Sequence, residues 1–126
     1  MVRPAFLVVA APALLGAFGH AYLGERDIFP KITVASTGLL SDSIRVLRLS
    51  WHAVSLTFFC FGVALTALGL KRGVLSNSER WVVTGISIWF AIQGIAGVGY
   101  WTSTKPQPYL FLLQSALLQG GLRWTP

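Results

Sequence analysis

Four stretches of the chain carry no Asp, Glu, Lys or Arg: residues 4–24, 49–70, 81–104 and 106–122, which are 21, 22, 24 and 17 residues long. Crossing the hydrocarbon core of a bilayer takes about 20 helical residues, with a range of roughly 17–25. Charged positions gather between these runs and do not recur along them. A soluble helix shows a polar stripe at 3.6-residue spacing, whereas GVALTALGL (62–70) is apolar all round. Membrane β-strands alternate apolar and polar positions, and no segment here does so. The pattern predicts an all-α integral membrane protein. Its single membrane domain, 1–126, holds four transmembrane helices in an antiparallel bundle, at about 4–23, 42–70, 79–101 and 106–123.

The punctuation between the runs refines this layout. The polar loop 24–41 is the longest connection. Ser41 reads as a helix N-cap with Asp42 in the first turn, where a negative charge meets the helix dipole favourably. A helix over 42–70 is about 43 Å long at 1.5 Å per residue, more than the ~30 Å hydrocarbon core. Its first two turns, with Ile44, Arg45, Leu47 and Arg48, therefore project into the headgroups. In the link KRGVLSNSER (71–80), Gly73 reads as a helix stop and Ser76 or Ser78 as the next cap. The prolines of KPQP (105–108) suit a helix start. The opening MVRPAFLVVAAPALLGAFGHA imitates a secretory signal, but its apolar run is longer than a signal's core, so it reads as the first span. Pro12 is expected to kink that span.

Composition agrees with the pattern: 54% of residues are hydrophobic, 11% are charged, and the mean hydropathy is +0.65. Soluble domains carry about 25% charged residues. The net charge of +6 does not point to nucleic acid, because Arg3, Arg45, Arg48, Lys71, Arg72, Arg80, Lys105 and Arg123 flank the spans. That placement anchors a protein to phospholipid headgroups, so the bilayer is the expected partner and bound lipid is expected with it. Trp51, Trp81, Tyr100, Trp101, Tyr109 and Trp124 lie near span ends as interfacial anchors. Gly85, Gly94, Ala96, Gly97 and Gly99 let the third span approach a neighbour closely. Gln93, Gln114 and Gln119 are expected to face other helices, and Cys60 to pack as a small hydrophobe. Basic residues divide five against five between the two sides. The short basic link 71–80 then places both termini in the cytoplasm of a multi-pass inner-membrane protein.

The candidate chemistry lies at GHAYLGER (19–26) and VLRLSWH (46–52), which hold the only histidines, His20 and His52. Consecutive spans are antiparallel, so both histidines lie at one membrane boundary. Arg45, Arg48 and His52 follow i, i+3, i+7 on one helix face, continued by Ser55. Glu25 and Asp27 sit at the mouth of the same hairpin. A structural ion pair is expected between Glu25 and Arg48, with His52 one turn deeper and His20 across from it. Three readings are open: an interfacial lock, ligation of a haem iron, other metal or chlorophyll-type pigment through His20 or His52, or a polar site of a small transporter or membrane enzyme. No nucleophile elbow, zinc-protease motif, phosphate loop or dinucleotide fingerprint is present.

GHAYLGERDIFP followed by VLRLSWHAVS resembles small four-span bacterial membrane proteins of uncharacterised function, over residues 19–55. The resemblance implies a bacterial inner-membrane protein in which the His, Glu, Arg and Trp-His positions form a unit, and it implies no activity. Four helices and tight turns leave little chain for extramembrane chemistry. The expected role is a non-catalytic accessory subunit of a larger membrane complex, photosynthetic or respiratory, with other membrane subunits as partners.

Overall fold

A computed structural model describes residues 2–100 and 106–124, with only the backbone of Tyr100. Trp101 and Lys105, read above as an anchor and a flanking charge, lie outside the described residues. The elements are α1 (Pro4–Leu23), α2 (Val34–Thr37), α3 (Ser41–Leu70), α4 (Asn77–Tyr100) and α5 (Gln107–Arg123). There is no strand among the described residues. Three helical stretches, Pro4–Lys31, Ser41–Leu70 and Asn77–Gly99, are long and apolar enough to cross a membrane. α5 is shorter, at 17 residues. Large apolar side chains stand exposed along the helices, among them Leu15 (74%), Phe18 (66%), Leu56 (61%) and Ile95 (67%). Water would penalise such surfaces, and hydrocarbon does not.

The stretch expected as a loop, 24–41, is mostly helical. α1 passes through Pro12 and leads into one wide π turn, Gly24–Ile28, then a 3₁₀ turn, Phe29–Lys31. Charges at 25–27 end the uncharged run without ending the helix, because a solvated turn accepts them readily. After an extended Thr33, α2 forms a single capped turn, with the Thr33 and Ser36 side chains reciprocally bonded to each other's backbone N–H. α2 stops at Gly38, in the left-handed region at φ +68°, where a side chain would be strained.

The chain divides into two compact units, Met1–Ala10 with Ala64–Pro126, and Ala11–Val63. In the first, Phe6, Leu65, Val83, Phe90 and Leu118 are fully buried. α4 and α5 pack tightly there. A Cβ on Gly94 would lie 2.6 Å from Leu112 Cγ and 2.9 Å from the Pro108 carbonyl. The Ser87 hydroxyl donates to Ser115 O at 3.1 Å and lies 3.0 Å from Ser115 Oγ. Gln114 is half-buried, with Oε1 lacking a partner, whereas Gln93 is exposed and not turned to a neighbouring helix. Of the two candidate serines, Ser76 caps α4. Its hydroxyl accepts from Glu79 N, and the Glu79 carboxylate accepts from Ser76 N and from Lys71 Nζ, at 2.8 and 2.6 Å.

Arg3 has a role the flanking-charge reading missed. It is 6% exposed, and its N–H donates to Gly69 O at 2.9 Å. The guanidinium donates to Leu68 O, Lys71 O and Gly73 O. A helix leaves its last four carbonyls without intrahelical partners, and a cation is favoured beside them. Arg3 therefore closes the C-terminal end of α3.

In the second unit, Ala13, Ala17, Phe29 and Phe58 are buried. Phe18 packs edge-on against Phe59, with centroids 6.0 Å apart. His20 faces Ser55 and Phe18 faces Phe59, so position falls along α1 as it rises along α3, and the two helices run antiparallel. Cys60 is exposed and does not pack inside.

Candidate functional site: a paired polar cluster between α1 and α3

The cluster is built from the end of α1, the π turn that follows it, and one face of α3. Gly24, the first residue of the π turn, is buried. A Cβ there would run into the Trp51 indole, 2.7 Å from Cδ1, and would lie 3.0 Å from Phe29 Cε2. Without a side chain at 24, the indole lies against the backbone. It stacks on the His20 ring with centroids 3.8 Å apart and planes 9° from parallel. Its Nε1–H donates to His20 O at 2.7 Å.

His20 Nδ1 lies 2.8 Å from Ser55 Oγ, and Ser55 is buried at 7% exposure. The Ser55 hydroxyl also reaches Trp51 O at 3.2 Å. With the hydroxyl proton placed there, His20 Nδ1–H is the donor to Ser55. One turn nearer the helix end, His52 Nε2 lies 2.6 Å from Glu25 Oε1. A carboxylate only accepts, so His52 carries its proton on Nε2. Arg48 grips the same carboxylate with two bonds, Nε to Oε1 at 2.8 Å and Nη2 to Oε2. Its guanidinium also lies over the Phe29 ring, 5.5 Å from the centroid. Arg26 bonds Tyr22 and Asp27 apart from this group.

The structure thus brings Glu25, Arg48 and His52 into one network and seats His20 in a neighbouring one with Trp51 and Ser55. Arg45 pairs instead with Asp42 at the start of α3, at 3.4 Å. Each imidazole retains one ring nitrogen, Nε2 of His20 and Nδ1 of His52, as its remaining ligand atom. Among the described residues, no three His, Cys, Asp or Glu side chains lie together as metal ligands. Chemically, the arrangement fastens two helices: a carboxylate on one meets a guanidinium and an imidazole on the other.

Ser55 is legible in the helical stripe, whereas Trp51 reads as an anchor, and Gly24 and Phe29 fall in the stretch expected as a loop. Alternation of glycine with bulky rings at a helix crossing leaves no periodic signal.

Glu25→Gln removes the charge and leaves one acceptor oxygen for three donors. The side chains of Glu25, Arg48 and His52 are 38%, 54% and 39% exposed, so water and salt screen the pair. The expected outcome is a modestly lower melting temperature in detergent at low salt, with the difference from the native protein closing at molar salt. Arg48→Lys is expected to fall between the two, since lysine keeps the charge but not the two-bond grip. Melting curves at two salt concentrations check both.

No protein family, curated protein or solved structure matches this chain.

Proposed function

We propose that this chain is a small multi-pass protein of the bacterial inner membrane, related to the small four-span proteins its histidine motifs resemble. In this reading α1, α3, α4 and α5 are four antiparallel spans, and the protein serves as a non-catalytic accessory subunit of a respiratory or photosynthetic complex. The observation that carries the reading is Gln93. It lies well inside α4, exposed beside Ile92 and Ala96, with no hydrogen-bond partner among the described residues. An amide facing hydrocarbon alone goes unpaired, which is costly, and a polar group from an adjoining subunit resolves this. The cluster between α1 and α3 supports the same role, because its polar groups are engaged with one another and hold the subunit's own helices.

Native gels of membranes solubilised in mild detergent test this. The chain is expected at a mass well above the monomer, in a band with haem or pigment absorbance. Gln93→Leu is expected to release it from that band while leaving its own helix content unchanged. Migration of the native chain as a lone monomer, or unchanged assembly of Gln93→Leu, would overturn the reading.

A further inference from the structure

The first unit contains a cavity of about 600 Å³ lined by the start of α1, the α3–α4 link and one face of α5. Its walls are almost entirely apolar or small. Ala116 and Gly120 lie one turn apart on α5 and hollow out one wall, and a Cβ on Gly120 would meet nothing within 4 Å. Val74 and Trp124 stand at its margin, 65% and 87% exposed. The volume falls in the range of about 300–1,000 Å³ that small-molecule sites occupy.

Charge selects the occupant. Gly73 and Trp124 both line the cavity, and each has an exposed arginine beside it in the chain, Arg72 and Arg123. Neither arginine has a carboxylate partner among the described residues. Glu79, the only Asp or Glu in this unit's sequence, is bound to Lys71. Arg3 contributes to the wall, and its buried Nε has no acceptor. An apolar recess flanked by unpaired cations is complementary to an acyl chain joined to an anionic headgroup.

We propose that this cavity is a specific site for one anionic phospholipid, with an acyl chain along Ala116 and Gly120 and the phosphate toward Arg72 and Arg123. The site requires that the chain sits in a bilayer and does not depend on the accessory-subunit reading. A protein that stays monomeric on native gels still binds the lipid if the site is real.

The full chain, purified in mild detergent and dosed with phosphatidylglycerol or phosphatidylcholine, is examined by native mass spectrometry. One phosphatidylglycerol per chain is expected to persist, in preference to phosphatidylcholine. Ala116→Trp and, separately, Gly120→Leu fill the cavity and are expected to lose that lipid. Arg72→Gln and Arg123→Gln are each expected to weaken phosphatidylglycerol retention by about fivefold, leaving phosphatidylcholine unaffected. Circular dichroism and elution volume identify any variant that has lost its fold, and the arginine variants read the site without altering the helix packing. Equal retention of the two lipids by the native chain would overturn the proposal. So would retention undiminished in a folded filling variant, or a lipid-free dimer in which a second copy covers the cavity.

Discussion

Gly24→Val is expected to destabilise the contact between α1 and α3 by about 1–3 kcal/mol, the usual range for forcing atoms into filled space. A methyl at this position meets an indole that cannot step aside cheaply. Trp51 is stacked on His20, bonded to the His20 carbonyl and set edge-on to Phe29 with centroids 5.8 Å apart. Valine gains little over glycine in helix preference, so the loss reads the collision almost directly. The check is a double-mutant cycle by denaturant or thermal unfolding in detergent. With Trp51→Ala in place the indole is absent, and valine at 24 is expected to cost less, with a coupling of about 0.5–3 kcal/mol. Equal costs in the two backgrounds would remove the close approach as the cause.

Phe90→Ala carries the largest expected effect. Phe90 is fully buried, with Trp89 edge-on at 5.5 Å and Phe111 stacked at 5.9 Å with its plane tilted 28°. Truncating a buried phenylalanine costs about 3–5 kcal/mol in water-soluble proteins, as lost transfer energy plus a cavity. Where hydrocarbon surrounds two helices, as the proposed four-span reading has it for α4 and α5, the surroundings are as apolar as the core and contact energy holds the pair together. The transfer part shrinks and the cavity part stays, which places Phe90→Ala toward the lower end of that range. Unfolding by increasing proportions of a denaturing detergent measures it. Phe90→Leu, which refills most of the volume, is expected to recover most of the loss.

Helices were readable where charge was absent. The uncharged runs mark α1, most of α3, and α4, because a helix apolar enough to cross a membrane rarely carries Lys or Glu along its length. Glu25 and Arg48 were readable for a related reason: each is the first charge at the same boundary. What the chain did not reveal depends on shape. Gly24 and Trp51 lie 27 positions apart and carry no mutual signal until the π turn brings the backbone under the indole. The helical character of 24–31 was hidden because charged residues are equally common in loops and in solvated helix ends. The cost of a lipid-exposed amide predicts an inward Gln93. The structure turns it outward, so that cost is met outside this chain or not at all. Arg3 read as an anchor because a terminal arginine has the same appearance in sequence whether it snorkels to headgroups or enters a ring of carbonyls.

That ring of carbonyls also has a place in time. Arg3 leaves the ribosome 65, 68 and 70 positions ahead of the three residues whose carbonyls receive its guanidinium. At roughly 5–20 residues per second, several seconds of synthesis separate the cation from its acceptors. Throughout that interval the guanidinium lacks the three carbonyls that finally receive it. The N-terminal end of α1, made early, therefore reaches its final seat only after the whole of α3 and the turn at Gly73 have been completed.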